Sequence, residues 1–162
     1  MRAVSKPAAF LSTVVISTAL IGGCVSQPEP PKTSIQLQAF QAKEFDTTKK
    51  IAFGSTMSVF QDLGYAIGTA DFETGFITAK SPTKKKYLLF VGHEMKDIKA
   101  TAFVEPLGKR RTKIRLNFIH STQTSSDYGM KGVSDEPIEE PDFYQDVFSK
   151  ITKAIFVREN IE

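Results

Sequence analysis

The chain has 162 residues, with 21 basic and 18 acidic side chains, one cysteine, no tryptophan and 13 phenylalanines. One cysteine excludes an internal disulfide framework, and the length suits one domain with one core rather than several. Charge is close to balanced, there is no internal repeat, and no second apolar run long enough to span a membrane follows the N-terminal one.

The first elements are at the N-terminus. Arg2 and Lys6 precede an uncharged run, Pro7 to Val25, rich in Ala, Val, Leu and Ile. A positive start, an apolar middle and small residues at the end are the layout of a secretory signal. The stretch Ala8 to Ile21 is short for a bilayer-spanning helix, which needs roughly 20 residues. Ile21-Gly22-Gly23-Cys24 resembles the lipobox of bacterial lipoproteins, an aliphatic residue and two small residues before a cysteine. That resemblance implies cleavage before Cys24, a thioether to diacylglycerol, and an acylated (palmitate-type) amine. Two or three acyl chains make a durable anchor where one binds only marginally.

The residue after the cysteine is Val25 rather than the Asp that retains Gram-negative lipoproteins in the inner membrane. The resemblance therefore implies the periplasmic leaflet of the outer membrane, with the inner membrane and surface display as alternatives. Ser26 to Ser34, SQPEPPKTS, has three prolines and no apolar periodicity, and reads as an extended tether. The expected organisation is a signal over 1–23, a lipidated cysteine and tether over 24–34, and one domain over 35–162. Losing Arg2 and Lys6 with the signal leaves 19 basic against 18 acidic residues, a net of +1, which weakens the case for an acidic partner.

Within the domain, Ile35, Leu37 and Ala39 alternate with Gln36 and Gln38, which predicts a strand. Asp46, Thr47 and Thr48 offer N-cap oxygens to a helix over about 47–63, whose apolar stripe is Ala52, Thr56, Val59, Phe60 and Leu63, with Gly64 as its stop. Tyr65–Ala70 and Phe76–Ala79 read as a hairpin around the Asp71–Gly75 turn. Tyr87–Val91, five apolar residues in a row, reads as a buried strand, with a short helix the alternative. Ile98, Ala100, Ala102 and Val104, and then Ile114, Leu116 and Phe118, alternate with polar residues across Pro106-Leu107-Gly108, a hairpin with one buried and one wet face. Residues 121–141 read as a long polar loop. A closing helix begins at Pro141-Asp142, with Asp142 and Gln145 spaced as a capping pair and Tyr144, Val147, Phe148, Ile151 and Ile155 as its stripe. The simplest assembly is an α+β fold: an antiparallel sheet of about four to six strands with two amphipathic helices on one face.

Catalytic and metal motifs are incomplete. His93-Glu94 starts an H-E-x-x-H pattern, but position 97 is Asp, and the other histidine is His120. A zinc site from His93, His120 and Glu94 is the one arrangement those residues allow. Asp135, Glu136, Glu139 and Glu140 could gather a hard cation, although a solvated acidic loop is the plainer reading. Gly54-Ser55 lies inside a helix rather than at a nucleophile elbow, and Gly108–Thr112 lacks the phosphate-loop frame. No catalytic residue, metal site or cofactor is therefore expected, and the chain reads as a non-enzyme. The basic runs Lys84-Lys85-Lys86 and Lys109-Arg110-Arg111 fall at predicted tips; they read as solvated or as interface candidates, and an envelope address argues against nucleic acid.

Gln61-Asp62-Leu63-Gly64-Tyr65, the Gly75–Thr78 hairpin and Phe143-Tyr144-Gln145-Asp146-Val147-Phe148 resemble those of small bacterial lipoproteins without assigned activity, over most of residues 36–157. The layout is also similar to the helix-grip domains of a lipoprotein component of the outer-membrane β-barrel assembly machine. Both resemblances imply a fold and an address and transfer no catalytic residue. The expected function is a membrane-anchored periplasmic binding or scaffold module in an envelope protein assembly. The alternative is an amphiphile carrier with a groove between sheet and helix.

Overall fold

The computed structural model describes residues 32–88, 92–125 and 131–161. The signal, the lipobox residues Ile21, Gly22, Gly23 and Cys24, and most of the tether lie outside these residues. The order of elements is α1 (Ser34–Gln41), β1 (Ala42–Phe45), α2 (Lys49–Asp62), β2 (Ala66–Asp71), β3 (Phe76–Lys80), β4 (Lys84–Leu88), β5 (Gly92–Pro106), β6 (Thr112–Ser125), β7 (Lys131–Pro137) and α3 (Pro141–Glu159). All strand pairings are antiparallel, in the order β1-β6-β5-β3-β2, with β4 added to β5 and β7 to β6. This is the α+β class expected, with seven strands and three helices.

The long β5–β6 hairpin is the spine, and its register runs without a shift from His93↔Ser125 to Pro106↔Thr112. Side chains alternate across a strand, so the even-numbered residues of both strands share one face. Ala100, Ala102, Val104, Ile114, Leu116 and Phe118 on that face are buried, as are Ile77 and Ala79 of β3. They form one core with Ala52, Phe53, Val59 and Phe60 of α2 and with Tyr144, Val147, Phe148, Ile151 and Ile155 of α3. Both long helices thus cover a single face of the sheet. Phe118 is at the centre, with Phe60, Phe143 and Tyr144 at edge-on angles and centroid distances of 6.0, 4.9 and 5.5 Å.

Helix α2 starts where Thr48 accepts a hydrogen bond from the Ile51 amide, and it stops after Leu63, where Gly64 takes φ +81°. Gly75, at φ +79°, is required twice over: a Cβ there would lie 2.2 Å from the Val104 carbonyl oxygen. Its own carbonyl accepts from the Val104 amide at 2.8 Å, which closes the β2–β3 turn onto β5.

The structure corrects four sequence-based expectations. Residues 35–39 are helical, because Thr33 and Gln36 form a reciprocal capping box and Phe40 packs on Tyr144 at 5.1 Å. The 121–141 loop is mostly strand: β6 continues to Ser125 and β7 returns alongside it. Apolar alternation is missing there because no helix among the described residues covers either face. Lys84-Lys85-Lys86 is not a tip but the body of β4, paired with Lys96, Met95 and Glu94. Asp142 and Gln145 do not cap α3; Glu140 is the N-cap residue without a side-chain bond, and Pro141 begins the helix. The five-residue run Tyr87–Val91 contributes Tyr87 and Leu88 to β4, and its last three residues lie outside the described residues.

Candidate functional site

Odd-numbered residues of β5 and β6 face away from the helices. The register brings Asp71, Phe76, Phe103, Arg115 and Ala42 into one row across five strands. Phe76 and Phe103 are each 41% exposed and directly opposite one another. The next row is Thr69, Thr78, Thr101 and Asn117, in which the Thr78 hydroxyl accepts from the Thr69 amide at 2.8 Å. No element among the described residues lies over these rows. Further along, Lys80 reaches Asp97 at 2.9 Å and Lys99 reaches Asp135 at 3.0 Å. Asp97 is buried; one carboxylate oxygen takes the Lys80 ammonium, and the other has no hydrogen-bond partner among the described residues. The neighbouring Ser121 hydroxyl, and then the Lys99 ammonium, hold the exposed Asp135 carboxyl below the usual aspartate range.

Beyond the helix layer, β4 and β7 flank the outer halves of β5 and β6 to make a four-stranded extension. Its side chains are mainly polar on both faces: Lys85, Met95, Gln123 and Val133 form one row of the open face. Tyr87 stands edge-on to His93 at 4.6 Å in the next row.

The two basic runs do not form one patch. Lys84 is opposite Lys96, whereas Lys109-Arg110-Arg111 lie in the β5–β6 turn past Pro106. Ten residues of strand separate Lys96 from Pro106, about 33 Å at ~3.3 Å per residue. Arg110 and Arg111 are exposed and sit 3.7 Å from Glu159 and 3.9 Å from Glu44. The metal candidates disperse as well. His93 is on the open face, while His120 is on the helix face opposite Ile98 and Glu136. Asp135 and Glu136 point to opposite faces of β7, and Glu139 pairs with Lys32 at 3.5 Å. Among the described residues, no three His, Cys, Asp or Glu side chains are grouped to hold a metal ion. Ser55 is buried within α2.

Sequence reasoning did not find the groove of about 570 Å³ between α2 and α3, on the side away from the sheet. Val59, Ala154 and Val157 supply its apolar floor, with Lys150, Lys153, Arg158 and Asp62 around it. Arg158 lies across Gly54, where a Cβ would meet its guanidinium at 3.0 Å, and donates to the Ser58 hydroxyl at 2.7 Å. A glycine inside a helix was the one available signal for that close approach.

No known protein family matches the sequence, and no curated protein matches it. Among solved structures, a TBP-like protein from Parabacteroides distasonis is similar with a TM-score of 0.37 and 12% identity, over 70% of this chain and 90% of that one. No helix among the described residues is long and apolar enough to cross a membrane.

Proposed function

We propose that this chain is a lipid-anchored envelope lipoprotein whose domain is a non-catalytic docking module for a protein assembly. Cys24 carries the anchor, the proline-rich segment sets the domain off from the headgroups, and the periplasmic leaflet of the outer membrane is the address. The observation that carries the reading is the uncovered sheet face, where Phe76 and Phe103 stand exposed side by side between Asp71 and Arg115. Exposed aromatic rings with a charged rim are what a protein partner buries most profitably. The lipobox and the resemblance to small bacterial lipoproteins support the address.

Crosslinking in intact cells, followed by mass spectrometry of the attached protein, tests this reading. One reproducible neighbour that disappears with Cys24→Ala supports it; recovery of free monomer in both samples overturns it.

The groove between α2 and α3 favours a second reading, binding of an anionic amphiphile. The space between helices and sheet is filled by Phe60, Phe118, Tyr144 and Ile151, so such a ligand would sit between the helices instead. Lipid carried through purification and lost with Val157→Asp would favour this reading over docking.

A further inference from the structure

Four strands have one side without a neighbouring strand among the described residues: β1, β2, β4 and β7. Three carry features that discourage further pairing. β1 has four residues, β2 is interrupted by an irregularity between Ile67 and Thr69, and β4 places three consecutive lysines on its edge. β7, Lys131-Gly132-Val133-Ser134-Asp135-Glu136-Pro137, is regular over seven residues, all of them exposed, with Val133 at 68%; it too carries edge charges and a terminal proline, but its charges are of both signs, whereas the β4 lysines can only repel a second copy.

The direction of its free hydrogen-bonding groups follows from its junction with β6. The Ile138 amide donates to the Phe118 carbonyl at 2.9 Å, in the same register that pairs Lys131–Pro137 with β6. Bonded pairs alternate along an antiparallel ladder, so the even residues of β7 bond to β6 and Lys131, Val133 and Asp135 turn their N–H and C=O groups to the open edge.

We propose that this edge pairs with the same edge of a second copy of the chain, antiparallel and centred on Val133. That register sets Val133 opposite its own copy and Lys131 opposite the partner's Asp135, twice by the two-fold symmetry. It makes six backbone hydrogen bonds, two at the Val133 pair and two at each Lys131–Asp135 pair. Shifting the strands by two residues in either direction loses this charge matching: one shift sets Lys131 against Pro137, which has no N–H, and the other sets Lys131 against Val133. Lys131, Val133 and Asp135 all lie on the open face, so each Asp135 carboxylate would gain a second cation beside Lys99. The pairing does not depend on the lipid anchor or on the docking reading.

The test uses cells making the full chain with Val133→Cys, treated with a short bis-maleimide, beside the unsubstituted chain and Lys85→Cys on the β4 edge. The expected result is a covalent dimer from Val133→Cys alone. Adding Lys131→Glu should cut its yield several-fold, and adding Asp135→Lys as well should restore it. Any of four results would overturn the proposal: no dimer although the new thiol reacts with a mono-maleimide; equal dimer from Lys85→Cys; a yield insensitive to the charge changes; or a product containing a different protein.

Discussion

Replacing Tyr144 by phenylalanine removes one oxygen atom from the middle of the molecule and leaves the ring in place. That oxygen holds a junction together. Tyr144 is fully buried; its hydroxyl donates to the Ile138 carbonyl at 2.9 Å and accepts from the Phe118 amide at 3.3 Å, with Gln41 also donating at 3.3 Å. The Ile138 amide already bonds the Phe118 carbonyl, so the hydroxyl stands in for the matching rung between Phe118 and Ile138. Without it, a buried N–H and a buried C=O lose their partner. Leaving one such group unsatisfied costs about 1–3 kcal/mol, and relaxation recovers part of it, so a loss of about 2–4 kcal/mol is expected. Urea unfolding of wild type and Tyr144→Phe at neutral pH measures this as a lower midpoint at unchanged slope. A loss below about 0.5 kcal/mol would refute the bridging role, since a well-matched apolar replacement is near neutral. Burial also pushes the Tyr144 hydroxyl pKa above its ordinary value, so its contribution is complete below the unfolded tyrosine pKa of about 10 and is lost as pH rises further. Tyr144→Phe should therefore soften the alkaline fall in stability, while Tyr65, raised for the same reason, retains its share.

Two further outcomes follow from single contacts, and a third from the proposed lipid anchor. Gly75→Ala should cost about 2–4 kcal/mol, because it combines a left-handed backbone with a clash against the Val104 carbonyl; thermal unfolding beside Gly108→Ala, where a Cβ meets nothing, isolates the effect. Lys80→Met leaves the buried Asp97 carboxylate without its cation and should cost about 1.5–3 kcal/mol in denaturant unfolding; adding Asp97→Asn should recover part of that loss. Labelled palmitate should enter the wild-type chain and not Cys24→Ala, and the latter should leave the membrane fraction.

The elements that bury a face were legible in the sequence. Ile98–Val104 and Ile114–Phe118 alternate because one side meets helices, and α2 and α3 show stripes because each has one buried side. Elements without a covered face were not legible. β7 and the end of β6 are polar on both sides, so Ser, Thr, Gly and acids there read as loop although they hydrogen-bond as strand. In α1 the alternation of Ile35, Leu37 and Ala39 suggested a strand, while Thr33 and Gln36, on either side of Ser34 and Ile35, carried the deciding capping signal. The open-face row of Phe76 and Phe103 was hidden for another reason. Both break the polar half of an alternating pattern, and only the register of β3 on β5 makes them neighbours. The groove at Arg158 depends on two helices meeting, and its one local trace is Gly54 inside α2, which does not name its partner.

Photocrosslinking from the open face tests the docking account most directly. A photoreactive side chain at position 103, compared in intact cells with one at position 152 on α3, should give a discrete protein adduct from 103 alone, and Cys24→Ala should abolish it. Equal or absent adducts from the two positions, or an adduct from 103 that survives loss of the anchor, would contradict it.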